Sequence, residues 1–233
     1  MDRATFLLLL DHLRREYPRW DAPAKSFENA YPRTPYTILV STLLSFQTRD
    51  EVTLLAAKRL FALARTPQEM LDLGQKRIAE AIYPVGFWRK KAASIVQVSR
   101  VLLDRYEGEV PATLEELTSM KGIGPKTAKI VLEHAFGAPV AAVDTHVHRI
   151  VNLLGLIQTS TPEQTDRELS RLLRPEELKG LNKLLVSFGQ TICRPRHPRC
   201  TICPIRKECP QALDSSKVAP FHVQSHESHE NGE

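Results

Sequence analysis

The four cysteines of this chain lie within the short stretch 193–209, in the pattern C-x6-C-x2-C-x5-C: Cys193, Cys200, Cys203 and Cys209. Disulfides between them would need an oxidising compartment, which nothing in the sequence indicates. Structural zinc sites usually have two C-x2-C pairs, and this loop has one. Four thiolates on unequal loops suit an iron–sulfur cluster, so the spacing favours that cofactor over zinc, in a structural rather than a redox role.

The cysteine loop is also rich in basic side chains, which are Arg194, Arg196, His197, Arg199, Arg206 and Lys207. These cations would offset the net negative charge of a cluster held by four thiolates. They would equally well face the phosphates of DNA, and the residues alone leave both roles open.

A second candidate for chemistry is Lys126, in the stretch KGIGPKTAKI at 121–130. A phosphate-binding P-loop needs Gly directly before its Lys and another Gly six residues before it. Pro125 and Met120 occupy those positions, so nucleotide binding of that kind is excluded. Gly122 and Gly124 instead predict a tight turn between two helices, whose second helix offers free N–H groups to an anion such as a DNA phosphate. An ordinary helical hairpin is the alternative.

Lys126 would then stand in the first turn of the second helix, where a cation opposes the helix dipole. A solvated lysine is the plain interpretation, and a nucleophilic amine is the functional one. Eighteen residues later, the stretch AAVDTHVHRI places Asp144 at the start of another helix. Asp144 is predicted either to cap that helix or to act in chemistry.

The elements that position these residues are predicted to be helices. Thr66 with Glu69, Thr113 with Glu116, and Thr161 with Gln164 form capping-box patterns. Apolar residues at helical spacing predict helices at 36–46, 51–64, 91–106, 127–136, 147–156 and 181–192. No run alternates as a strand would, so the sequence predicts an all-α protein.

Composition indicates a partner and a compartment. The net charge is +5, but the tail from Asp214 carries four acidic residues against one lysine, so the body before it carries +8. Such an excess fits a polyanion such as nucleic acid, or only solubility. The apolar run 6–10 is too short for a signal peptide or a membrane span, so we expect an intracellular protein without membrane contact. The proline-rich segment 17–35 predicts a long connection, and the tail from 214 is predicted to be disordered.

MKGIGPKTAKIVL, followed by VDTH and then by the cysteine pattern, resembles the endonuclease III family of helix-hairpin-helix DNA glycosylases. The resemblance covers about residues 1–212 and includes LLSFQTRD at 43–50 and VGFWRKKA at 85–92. It implies two helical domains with a groove between them. Residues 28–138 would form a six-helix barrel, while 1–27 and 139–212 would form the smaller cluster domain, with a tail at 213–233.

The resemblance implies a bifunctional DNA glycosylase and abasic-site lyase that removes oxidised or damaged pyrimidines. Lys126 would form a Schiff base with the sugar, Asp144 would assist, and the cysteines would hold one [4Fe-4S] cluster. The partner would be double-stranded DNA with a damaged base or an abasic site, bound by a monomer, in the cytoplasm and with the nucleoid if the source is prokaryotic. DNA contacts are predicted for Gln47, Phe87, Lys91, Lys121, Gly122, Gly124 and His146.

Gln47 would fill the space that the extruded base vacates, and Phe87 would act as a wedge. Phe46 and Arg49 depart from the smaller or neutral residues that the family has beside Gln47, which leaves the substrate range open. Two other functions remain: a mismatch-specific thymine glycosylase and a non-catalytic sensor of DNA damage.

Overall fold

Residues 1–211 of the computed structural model are described, and within them the regular structure is entirely helical. This confirms the all-α prediction; the tail predicted at 213–233 lies outside the described residues. The α-helices are α1 (Arg3–Glu16), α2 (Pro35–Ser45), α3 (Asp50–Leu63), α4 (Pro67–Ile82), α5 (Trp88–Tyr106), α6 (Leu114–Ser119), α7 (Pro125–Phe136), α8 (Thr145–Leu153), α9 (Pro162–Leu172), α10 (Pro175–Leu178) and α11 (Leu181–Thr191). Short 3-10 helices cover Tyr17–Arg19, Pro23–Phe27 and Cys200–Ile202.

Helix starts follow the predicted caps. The hydroxyl of Thr66 accepts a hydrogen bond from the Glu69 N–H, and the Glu69 carboxylate accepts one from the Thr66 N–H, so this capping box is complete. Thr113 and Thr161 also cap their helices, but their partner side chains do not bond back to the cap N–H. Inside α4, Gly74 takes φ +75° and interrupts the helix, which the sequence pattern did not predict.

Apolar side chains form two separate clusters. The first runs from Tyr36 to Leu132 and takes its residues from α2 to α7. The second joins α1 to α8, α9 and α11 and includes Phe6 and Phe188. The division into two domains at residues 28 and 138 remains a prediction. The two separate apolar clusters support it.

The proline-rich segment 17–35 passes from one cluster to the other. Trp20 stacks on Phe188 of the second cluster with ring centroids 5.5 Å apart, whereas Tyr31 packs on Phe61 of the first at 4.6 Å. On α11, the Gln190 amide donates to Asp50 Oδ2 of α3 at 2.7 Å, which ties the two halves together beside the site described next. Among the described helices, none is long and apolar enough to cross a membrane.

Candidate active site and metal centre

A cleft of about 860 Å³ opens where the first turns of α7 and α8 meet the loops at 46–48 and 86–87. Its lining contains every predicted catalytic or DNA-contacting residue except Lys121 and His146: Gln47, Phe87, Lys91, Gly122, Gly124, Lys126 and Asp144. The fold therefore brings together residues that are up to 97 positions apart in the chain, counted from Gln47 to Asp144. Their individual roles stay predictions.

The hairpin that carries Lys126 is held by buried apolar residues on one side and is open to a ligand at Gly124. Met120 and Ile123 are buried, and Gly122 between them takes φ +92°, a conformation that favours glycine. Gly124 has an ordinary φ of −86° and caps α7 without any side-chain hydrogen bond. The position of a Cβ at Gly124 has no atom within 4 Å, so a ligand backbone can approach the first N–H groups of α7 closely. Lys126 is the second residue of α7 and lies in its first helical turn. Lys121, at the start of the hairpin loop, is exposed.

Asp144 begins α8 and also lines the cleft. Its Oδ1 accepts a hydrogen bond from the Val147 N–H at 2.8 Å, so the predicted cap is present. The residues before it, Ala141–Val143, are buried and extend towards the cleft. The cap uses only Oδ1, and Oδ2 is the oxygen available to a bound group.

Gln47 and Phe87 both take left-handed backbone conformations, with φ of +48° and +54°. Such conformations cost energy for residues other than glycine and are kept where the surrounding structure holds them. Here the two loops hold each other. The Gly86 N–H donates to Thr48 Oγ1 at 3.1 Å, and a Cβ on Gly86 would lie 2.7 Å from the Gln47 carbonyl oxygen.

Lys91 was expected to contact DNA, but the structure places its ammonium inside the protein. The residue is 7% exposed, and its Nζ donates to Leu44 O at 2.7 Å, Phe46 O at 2.6 Å and Thr48 Oγ1 at 2.9 Å. Burial lowers the pKa of Lys91 to about 8. Lys91 therefore ties α5 to the end of α2 and the loop after it, because all three of these hydrogen bonds end on residues 44–48.

His146 was also expected at the DNA surface, and it packs instead against α11. A Cβ on Gly189 would lie 2.5 Å from His146 Nδ1, so only glycine leaves room for the ring. Burial lowers the pKa of His146, although the nearby Asp144 carboxylate acts in the opposite direction. Within the described residues, its Nδ1 has no hydrogen-bond partner.

Two interactions of charged side chains were not predicted from the sequence. The Nζ of Lys129 lies 2.5 and 2.6 Å from the two carboxylate oxygens of Asp166 on α9, in the wall of the cleft. Arg149 of α8 is buried, and its guanidinium donates to the Cys193 carbonyl and lies 3.5 Å from Cys193 Sγ. An arginine inside the apolar run of α8 was the one available signal for the second pairing.

The four cysteines line a single cavity of about 330 Å³, together with Arg149, Phe188 and Ile192. Burial raises the pKa of Cys193, and it raises that of Cys203 to about 11. Among residues 1–211, no three His, Cys, Asp or Glu side chains converge closely enough to hold a single metal ion. The buried Arg149 has no carboxylate partner among the described residues, and its guanidinium lies beside Cys193. In this position it can balance the negative charge of a group bound in the cavity. Four thiols that share one cavity but do not converge on a single point suit a multi-iron cluster better than a single metal ion.

Comparison with known proteins agrees with this geometry. Residues 40–175 match the model of the HhH-GPD superfamily of base excision DNA repair proteins. The chain is 44% identical over 203 residues to endonuclease III of Thermotoga maritima, across 86% of this chain and 92% of that protein. This chain therefore belongs to the HhH-GPD superfamily, in the endonuclease III family that its motifs predicted.

Solved structures extend the similarity to the fold. A non-covalent endonuclease III–DNA complex superposes with a TM-score of 0.80 at 29% identity, and a trapped covalent endonuclease III–DNA intermediate with 0.80 at 30%. In both cases the match covers 92% of this chain and 98% of the other.

Proposed function

We propose that this protein is a bifunctional DNA glycosylase and abasic-site lyase of base excision repair, acting on oxidised or damaged pyrimidines. One observation carries the proposal: Lys126 and Asp144 line one cleft from the first turns of two helices, in a chain of the endonuclease III family. The chain would act as a monomer on double-stranded DNA with a damaged base or an abasic site, in the cytoplasm and with the nucleoid if the source is prokaryotic.

The reaction begins when the damaged nucleotide leaves the stack, because its sugar cannot be reached inside the duplex. The Lys126 amine attacks C1′ of the sugar, and the bond from C1′ to the base breaks with its electron pair going to the base. Loss of a proton from nitrogen and opening of the sugar ring give the Schiff base. Removal of a proton from C2′ then expels the 3′ phosphate and nicks the strand.

Asp144 assists from the start of α8. Its Oδ2, which the helix cap does not use, can stabilise the positive charge that develops on the sugar or take the proton from the amine. The free N–H groups at Gly124 and the start of α7 hold a backbone phosphate and orient the nucleotide. Gln47 enters the vacated space and Phe87 separates neighbouring bases.

Borohydride trapping tests the chemistry. The wild-type protein, incubated with a duplex that contains an oxidised pyrimidine or an abasic site, should give a covalent protein–DNA adduct on reduction. Lys126→Ala should abolish the adduct, while Lys121→Ala, which removes an exposed lysine of the same hairpin, should retain it. Absence of an adduct from the wild-type protein would refute the Schiff-base mechanism and favour the damage sensor. An unchanged adduct from Lys126→Ala would show that a different amine forms the Schiff base.

We also propose that Cys193, Cys200, Cys203 and Cys209 hold one [4Fe-4S] cluster. The group would tie the C-terminal loop to α8 and α11 and leave the chemistry to the cleft. The supporting observations are one cavity lined by four thiols and a buried arginine beside Cys193. The purified protein should be brown and contain about four iron and four sulfide per chain. A colourless protein with one zinc would overturn this assignment.

A further inference from the structure

Phe46 is a large apolar side chain that the fold leaves in water. It is 65% exposed at the end of α2, next to Gln47, and it lines the cleft together with Phe87, which is 59% exposed. An isolated exposed apolar residue needs no explanation, but two aromatic rings in one cleft indicate a contact surface.

The backbone that carries Phe46 is held firmly. The carbonyl of Phe46 itself accepts a hydrogen bond from the buried Lys91 ammonium, and the same ammonium binds the residues two positions to either side. Thr48 is in turn tied to Gly86 of the neighbouring loop. The ring is therefore displayed on a fixed backbone, so its ordering cost on binding is small.

The surroundings of Phe46 determine which partner fits. Lys90, Lys126 and Arg167 line the same cleft and outnumber the carboxylates of Asp144 and Glu163. The third carboxylate, that of Asp166, is neutralised by Lys129. A rigid aromatic ring among cations suits a polyanion with flat apolar faces, which is the combination that bases and phosphates of nucleic acid present.

We propose that Phe46 stacks on a nucleobase of the lesion-bearing duplex, as a second aromatic contact beside Phe87. The proposal rests on the proposed function and adds to it a second residue that binds the opened duplex by stacking. The stacked base is either the orphan base opposite the extruded nucleotide or a base that flanks it, and both offer the same face to the ring.

Binding to an abasic-site analogue tests this without any chemistry at Lys126. Dissociation constants are measured for two duplexes, one with a tetrahydrofuran residue opposite adenine and one with tetrahydrofuran residues opposite each other. The variants are Phe46→Ala, Phe46→Leu and Phe46→Trp. Leu63→Ala is the matched control, because Leu63 is 51% exposed on α3 and outside the cleft. Because Phe46 is exposed, thermal unfolding of each variant should match that of the wild type.

We expect Phe46→Ala to weaken binding about tenfold, Phe46→Leu to weaken it nearly as much, and Phe46→Trp to retain it. A loss confined to the adenine duplex identifies the orphan base, and an equal loss on both identifies a flanking base. The proposal is overturned if Phe46→Ala binds both duplexes as Leu63→Ala does, or if Phe46→Leu binds as the wild type. A failed borohydride trap would leave these results unaffected, so the two proposals fail separately.

Discussion

Asp144 combines two roles in one side chain. As a helix cap it needs only an oxygen that accepts from the Val147 N–H. As a participant in the reaction it needs a negative charge, which stabilises a cationic sugar or accepts a proton. These requirements can be separated, because asparagine caps helices about as well as aspartate but carries no charge.

Asp144→Asn should therefore reduce the single-turnover rate of base excision by about a hundredfold. Its free energy of unfolding should change by less than about 1 kcal/mol, since the cap is retained. Asp2→Asn is the control, because Asp2 caps α1 through the Thr5 N–H at 2.8 Å, far from the cleft, and should alter neither quantity appreciably. A wild-type rate for Asp144→Asn would leave Asp144 as a cap alone.

At the scale of elements, the buried Lys91 links α5 to the end of α2 and to the loop that presents Phe46 and Gln47. Its position explains how two loops without regular structure can hold left-handed residues at the cleft. A buried amine in this setting is a positioning group, since it acts on DNA through the segment that it holds.

Lys91→Met should leave the Leu44 and Phe46 carbonyls unsatisfied and cost about 1–3 kcal/mol of stability. Excision of a damaged base should fall by about 10–100-fold, because the 46–48 segment is needed for extrusion. Nicking of a preformed abasic site, which requires no base to be extruded, should fall much less. Lys76→Met removes an exposed lysine of α4 and serves as control. An equal fall in both activities would assign Lys91 a general structural role.

The crossing of α8 over α11 depends on Gly189. In a helix interior, Gly→Ala is ordinarily stabilising by about 1 kcal/mol, so a loss of stability would report crowding. The new Cβ would lie 2.5 Å from His146 Nδ1 and 3.2 Å from Ile150 Cδ1.

Gly189→Ala should accordingly destabilise the protein, by about 1–3 kcal/mol. His146→Ala in the same chain should relieve much of this loss, giving a positive coupling in a urea-unfolding double-mutant cycle. Additive effects of the two substitutions would show that His146 is not what Gly189 accommodates.

At the scale of the whole molecule, the chain passes from the first apolar cluster, which ends at Leu132, to the second, which resumes at Ala141 just after α7. Glu133 lies at this junction, 8% exposed, close to the backbone of Ala142 and Gly180. Burial raises its pKa to about 7. Because the folded protein holds this proton more tightly than the unfolded chain, stability is greatest below about pH 4.5 with respect to this group and is lost as pH rises through about 7.

Glu133→Gln should remove that loss, because glutamine resembles the neutral carboxylic acid. Relative to the wild type, the variant should gain stability between about pH 5 and pH 8, by on the order of 3 kcal/mol if burial alone sets the shift. Urea unfolding at both pH values gives the measurement, and Glu80→Gln, an exposed residue of α4, is the control. A constant difference between variant and wild type across this range would contradict the titration.

Much of the protein could be read from patterns that span fewer than about twenty residues. The Thr66–Glu69 cap, the glycine turn before Lys126, the cap at Asp144 and the cysteine spacing depend on neighbours in the chain, so local rules predict them. Their joint order then identified the family, because several motifs in one arrangement are far more specific than any one.

Only the tertiary structure decided which partners the buried polar and charged side chains contact. Lys91 was expected to contact DNA, but it is buried, and its partner carbonyls are 45 and 47 residues away. His146 is fitted to Gly189, Arg149 faces Cys193, and Lys129 pairs with Asp166. For Lys91, Arg149 and Lys129, oxygens, a thiol or a carboxylate distant in the chain compensate the desolvation of the charge. Which groups those are depends on how the helices pack, and helical periodicity carries no information about the partner.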